Sequence, residues 1–201
     1  MTAREILRMV VVLALVTGFW GGALSLVNMA TEEQIEYQKL KNIKEPALKQ
    51  ALSSVDYDND PLQDRMSLEV GKDSRGQPQE QIFFLAKKND ELQAVALEAS
   101  AGGYEGDVGV MISILLDKEE VGSVDVTTHS ETQGVGTKAI DSQDFMGQFK
   151  SKPLDTNFAA RSPDIDARSG ATTTSHAIQN AVQKGVEIFE EHKSKILEEE
   201  Q

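Results

Sequence analysis

Leu92-Gln-Ala-Val-Ala-Leu-Glu98, Ala101-Gly-Gly-Tyr-Glu-Gly106, Asp107-Val-Gly-Val-Met-Ile-Ser-Ile-Leu-Leu116, Asp117-Lys-Glu-Glu120 and Val121-Gly-Ser-Val-Asp-Val-Thr-Thr128 form the run that decides the fold. Leu92–Glu98 alternates apolar and polar residues, the period of a half-buried strand. Asp107–Leu116 is a strongly apolar strand, and Val121–Thr128 places Val121, Val124 and Val126 as its apolar positions. A glycine-rich loop and a short acidic turn join these segments. Connections that short join antiparallel neighbours, because a parallel crossover takes about a dozen residues or more. Upstream, Ser67–Val70 and Gln81–Lys87 read as two further strands, separated by the turn cluster Lys72–Pro78 and followed by the tight turn Lys88-Asn-Asp90. Downstream, Ile178, Val182, Val186 and Phe189 recur on one stripe of a helix. The predicted class is α+β, an antiparallel sheet flanked by helices.

The N-terminus follows a different physics. No charged residue occurs between Arg8 and Glu32, and an apolar helix of ~20 residues spans a bilayer core. Arg4 and Arg8 precede the run, while Glu32, Glu33 and Glu36 follow it, a bias that leaves the N-terminus in the cytoplasm. A cleaved signal peptide is the alternative, but its one cleavage candidate, Asn28-Met-Ala30, matches poorly. The expected organisation is a cytoplasmic N-terminus at 1–8, a transmembrane anchor at 9–30, a helical stalk at 31–66 and an extracytoplasmic domain at 67–201. Gly18, Gly21 and Gly22 permit close helix packing within the membrane. Pro46 suits the first turn of a helix over Glu45–Leu52.

Composition excludes several functions. The 201 residues carry a net charge of −13, which opposes nucleic-acid binding and docking on anionic lipid. With no cysteine, disulfides, thiolate nucleophiles and Cys-ligated clusters are absent. His129, His176 and His192 have unrelated spacings, so no histidine metal site is expected. His129, Ser130 and Glu131 are adjacent in sequence and cannot converge as a triad, and no catalytic constellation is found.

One stretch invites chemistry. Asp166-Ala-Arg-Ser-Gly-Ala-Thr-Thr-Thr-Ser175 packs a glycine and the hydroxyls of Ser169, Thr172, Thr173, Thr174 and Ser175 into a helix start. Free N–H groups and the dipole there suit a phosphate. Read by itself, the stretch is either a hydroxyl-rich cap or a phosphate site.

Together the motifs resemble the FMN-binding domain family shared by RnfG and NqrC, components of the Rnf and Nqr redox complexes. The resemblance is carried by Gly103-Tyr-Glu-Gly106, by His129-Ser-Glu-Thr-Gln-Gly-Val-Gly136 and by Asp166-Ala-Arg-Ser-Gly-Ala-Thr172, in that order behind a membrane anchor. Gln133 stands where the family usually has proline, and Val135 where it has leucine. The compact run from anchor to sheet favours the RnfG branch; NqrC and a membrane-anchored flavin-binding regulatory module are the alternatives.

The resemblance implies FMN joined through its phosphate to Thr172, by a flavin transferase that uses FAD as donor. Gly170 and Ala171 would leave room for the donor, and Ser169, Thr173 and Thr174 would reach the phosphate oxygens. The loops Gly103–Gly106 and Glu131–Lys138 would approach the flavin through backbone groups and through Glu131, Thr132, Gly134, Gly136, Thr137 and Lys138. The resemblance further implies a single-pass protein of the bacterial inner membrane, with its flavin domain on the periplasmic side, among the other subunits of an ion-translocating ferredoxin:NAD oxidoreductase of the Rnf type. Its role there would be redox carriage, with no catalytic side chain of its own.

Overall fold

A computed structural model describes residues 3–72 and 76–199. The chain divides into two compact units, Met1–Asn42 and Ile43–Gln201.

The first unit is built on α1 (Ala3–Lys39). Its Ala3–Glu32 stretch is long and apolar enough to cross a membrane, and none of its most apolar window is buried against protein. Thr17 lies inside this stretch and donates its hydroxyl back to the Leu13 carbonyl at 2.9 Å. That satisfies the group where water is absent. A π-helical turn, Leu40–Lys44, follows α1.

The second unit opens with α2 (Glu45–Ala51), which carries its proline in the first turn as expected. Six strands follow: β1 (Arg65–Lys72), β2 (Pro78–Lys88), β3 (Glu91–Gly102), β4 (Asp107–Leu115), β5 (Glu120–Thr128) and β6 (Lys152–Pro153). They lie side by side in chain order, every pair antiparallel. Between β5 and β6 come α3 (Thr137–Ile140), α4 (Gln143–Met146) and a 3-10 turn, and α5 (Thr172–Glu198) closes the fold. The short turn after β2 has Asn89 and Asp90 at φ 52° and 63°, the left-handed pair that a two-residue hairpin requires. Of the turn cluster expected at Lys72–Pro78, residues 73–75 lie outside the described residues.

Both faces of the sheet are covered. Val108, Val110, Ile112 and Ile114 of β4 join the core beneath α5, with Phe83, Leu85, Val95, Leu97, Ala177, Ile178, Val182, Val186 and Phe189. Met111 and Leu115, pointing the other way, join Phe84, Ala86, Ala94 and Ala96 beneath α2. This double burial explains why β4 reads as a nearly unbroken apolar run. Each fully buried aliphatic or aromatic side chain contributes about 1.5–3 kcal/mol relative to exposure.

Three differences from the sequence expectation have physical causes. Glu45–Leu52, expected within a stalk, is core: Ala47, Leu48, Ala51 and Leu52 are all buried on the sheet. Ser113 reinforces it by donating to the Ala51 carbonyl at 2.6 Å, so the folded unit starts at Ile43 rather than 67. β3 continues through Ala101 and Gly102, paired to Val108 and Asp107, which trims the glycine loop to Gly103–Gly106. Thr137 and Lys138 begin α3 instead of closing a loop.

Candidate functional site

Glu131 is the junction of the region. It lies just beyond β5, is only 6 % exposed, and accepts three hydrogen bonds from two other segments. The backbone N–H groups of Tyr104 and Glu105 donate to Oε1 at 2.8 and 3.2 Å. The Thr174 hydroxyl, in the first turn of α5, donates to Oε2 at 2.5 Å. Glycines make room for this carboxylate. A Cβ on Gly103 would lie 2.5 Å from Oε1, and one on Gly136 would lie 2.3 Å from Oε2. Burial pushes the Glu131 pKa up, but the Thr174 hydroxyl, the two amides and nearby His129 outweigh it and hold the carboxyl below its ordinary 4.5.

The segment before α5 is fixed by its backbone. Gln148 accepts from the Asp166 N–H at 2.8 Å and donates to the Asp166 carbonyl at 3.0 Å. Ser175 accepts from the Arg168 N–H and donates to the Ala171 carbonyl, while Gln179 donates to the Ile165 carbonyl. Arg168–Ala171 closes a turn through Ala171 N–H to the Arg168 carbonyl, with Gly170 at φ +78°. That left-handed third position favours glycine.

Thr172 is the first residue of α5, and no side chain caps the helix. The hydroxyl-cap reading therefore fails, and the first turn, which begins at Thr172, has no side-chain acceptor for its N–H groups. Ser169, Gly170, Thr172 and Thr173 are exposed, whereas Ala171 and Thr174 are buried. Lys138 reaches this turn: its Nζ is 4.0 Å from the position a Cβ on Gly170 would take.

Lys138 also lines an open cleft of about 690 Å³ with Gln133, Gly134, Thr137, Asp141, Asp144 and Arg168. Two cations and two carboxylates thus face one cavity of the size small ligands occupy. An exposed threonine hydroxyl, an uncapped helix start and flanking cations are what a phosphate-tethered cofactor needs, so the residues present fit FMN.

The expected site residues therefore separate into groups. Thr172, Thr173, Ser169 and Gly170 are accessible together, and Gly134, Thr137 and Lys138 line the cleft. Thr137 is mostly buried and accepts from the Gly134 N–H at 3.0 Å. Thr132 bonds Glu105 instead of facing the cleft. Glu131 and Thr174, expected to face the cofactor, turn inward and bond each other, because a buried carboxylate needs donors. Arg168, Gln148 and the Asp141/Asp144 pair were not singled out in the sequence. Arg168 lies inside the Asp166–Thr172 motif, where its charge is the one signal that could have marked it.

Residues 103–187, which include Glu131, the cleft and the start of α5, match the model of the FMN-binding domain. The G subunit of the ion-translocating oxidoreductase complex of Erwinia tasmaniensis is 30% identical over 182 residues, 87% of this chain and 85% of that protein. Its counterpart in Vibrio cholerae is 30% identical over 184 residues, 87% and 86% of the two chains. That of Pseudomonas aeruginosa is 28% identical and covers 98% of this chain and 94% of its own. The fold is shared with the C subunit of the Na(+)-translocating NADH-quinone reductase of Parabacteroides distasonis, at a TM-score of 0.54 and 16% identity over 76% of this chain and 93% of that one. Sheet, cleft and helix start thus define an FMN-binding domain, here following a helix able to span a membrane. The chain belongs to the family of G subunits of ion-translocating oxidoreductase complexes.

Proposed function

We propose that this protein is a membrane-anchored electron carrier with FMN esterified to Thr172, working as the G subunit of an Rnf-type ferredoxin:NAD oxidoreductase complex. The observation that carries the reading is the state of Thr172. It is an exposed hydroxyl on the first residue of a 27-residue helix that no side chain caps, following a segment whose backbone is already held by Gln148, Ser175 and Gln179.

In maturation, the Thr172 oxygen would attack the FMN phosphorus of FAD on a flavin transferase. The P–O bond to AMP breaks, AMP departs, and the hydroxyl proton leaves to the transferase or solvent. The phosphodiester formed carries one negative charge. Helix N–H groups, Thr173 and Ser169 can donate to it, and Lys138 and Arg168 supply the opposing charge. The isoalloxazine, when bound, supplies the redox chemistry. The protein's own residues would hold the phosphate, and the Gln133–Lys138 wall of the cleft would receive the ring.

The apolar α1 would keep the carrier at the bacterial inner membrane, with the N-terminus cytoplasmic and residues 43–201 on the periplasmic side. There it gains effective concentration next to the other subunits of the complex. Near-complete mutual coverage with the Pseudomonas aeruginosa relative favours this assignment over the Nqr counterpart, with which only the fold is shared.

The test is co-production of the full chain with a flavin transferase. The protein should gain the mass of one FMN less one water and fluoresce in a denaturing gel under ultraviolet light. Thr172→Val should show neither. A wild type that stays unmodified beside an active transferase refutes the proposal.

A further inference from the structure

Glu131 has no part in holding the phosphate, yet it is the most heavily engaged carboxylate of the region. All of its contacts donate to it: the amides of Tyr104 and Glu105, and the hydroxyl of Thr174. Two amide N–H groups and a hydroxyl aimed at its oxygens favour the ionised form of this carboxyl. Gly103 and Gly136 both lack a Cβ where one would overlap its oxygens, so the packing around it is fitted to a side chain of this size and position.

Thr174 lies two residues after Thr172 in the first turn of α5. The same Glu131 side chain therefore fixes the Gly103–Gly106 loop, its own loop and the helix start that bears the acceptor threonine.

We propose that Glu131 is a positioning residue that sets the reduction potential of the flavin: it ties the two glycine loops to the first turn of α5 and keeps a full negative charge buried beside the attachment point. The inference rests on the reading that Thr172 carries FMN. Reduction adds negative charge to the isoalloxazine, so a nearby fixed anion opposes it and lowers the potential. Burial strengthens that effect, since solvent screens the charge poorly. A helix start otherwise favours negative charge at its first turn, and the Glu131 carboxylate offsets that pull on its inner side.

Two measurements on the full chain in detergent test this. In flavin-loaded protein, Glu131→Gln keeps size and an acceptor for the two amides but removes the charge, and its midpoint potential should rise above the wild type. Glu131→Asp keeps the charge, and its potential should stay below that of Glu131→Gln. In unloaded protein, hydrogen exchange at the Tyr104 and Glu105 amides should accelerate in Glu131→Asp, whose carboxylate is one methylene short of them. Exchange in the centre of β3 and β4 should not change.

A folded, loaded Glu131→Gln with the wild-type potential overturns the electrostatic role. Unchanged exchange at Tyr104 and Glu105 overturns the positioning role, and this arm decides the matter if Glu131→Gln does not fold. A wild type that accepts no flavin refutes the carrier reading, and the exchange measurement still judges Glu131.

Discussion

Replacing Gly136 with alanine tests the Glu131 junction without straining the backbone. Gly136 sits at φ −66°, ψ −40°, a conformation any residue adopts. At such a position the exchange of glycine for alanine stabilises by about 0.4–1 kcal/mol through the unfolded chain. The packing term runs the other way. The new Cβ would lie 2.3 Å from Glu131 Oε2, 2.7 Å from Glu131 Cβ and 3.0 Å from Thr174 Oγ1. Ordinary carbon contacts are about 3.5–4.0 Å, so the carboxylate must move by about 1 Å, and the contact to Glu131 Cβ prevents a simple rotation. Hydrogen bonds to a charged group contribute about 1.5–3 kcal/mol each. Loss of one or two, less the backbone gain, leaves a destabilisation of about 0.5–5.5 kcal/mol. For a unit of this size that lowers Tm by about 1–20 °C.

The assay is thermal unfolding of the full chain in detergent, followed by circular dichroism. Gly147→Ala is the control. It too has right-handed backbone, φ −65°, ψ −20°, but nothing lies within 4 Å of its Cβ position. Its Tm should hold or rise slightly. A Gly136→Ala protein that melts at or above the wild type refutes the claim that Glu131 is fitted tightly between these loops.

Other expectations follow from the same contacts. Gly185→Ala places a Cβ 2.3 Å from Ile112 Cδ1 in the core; overpacking of about 1–3 kcal/mol should exceed the helix-propensity gain of about 1 kcal/mol, and a lowered Tm checks it. Glu131 has a folded pKa below its unfolded value of 4.5, so its stabilisation is complete above that pH and is lost as pH falls through the folded value. Melts taken from neutral pH downward should therefore show a shallower acid loss in Glu131→Gln than in wild type. Gln148→Ala removes both hydrogen bonds to the Asp166 backbone; at a cost of about 1–2 kcal/mol in stability, it should slow flavin incorporation at fixed transferase concentration, read as fluorescence against time.

The sequence carried the meander because its turns are short and local. The Asn89-Asp90 pair and the Gly103–Gly106 loop each determine a neighbouring pairing without help from the rest of the chain. The stripe Ile178, Val182, Val186 and Phe189 likewise sufficed to place α5 on the sheet, since all four are buried there. α2 was readable but misassigned: Ala47, Leu48, Ala51 and Leu52 repeat at helical spacing and marked a buried face. The partners of Glu131 were not legible, because amides 26 and 27 residues away leave no side-chain signature. The same holds for Gln148, which grips backbone atoms 18 residues away. β6 is a two-residue pairing to Glu120 and Val121, too short for any periodic signal.

The central claim is that one threonine carries the flavin, and tryptic mapping tests it most directly. Cleavage after Arg168 and Lys184 releases a single peptide, Ser169–Lys184, that contains Ser169, Thr172, Thr173, Thr174 and Ser175. After co-production with a flavin transferase, fragmentation should put the added FMN, less one water, on Thr172. An unmodified peptide, or a flavin on Thr173 or Ser169, would contradict the account.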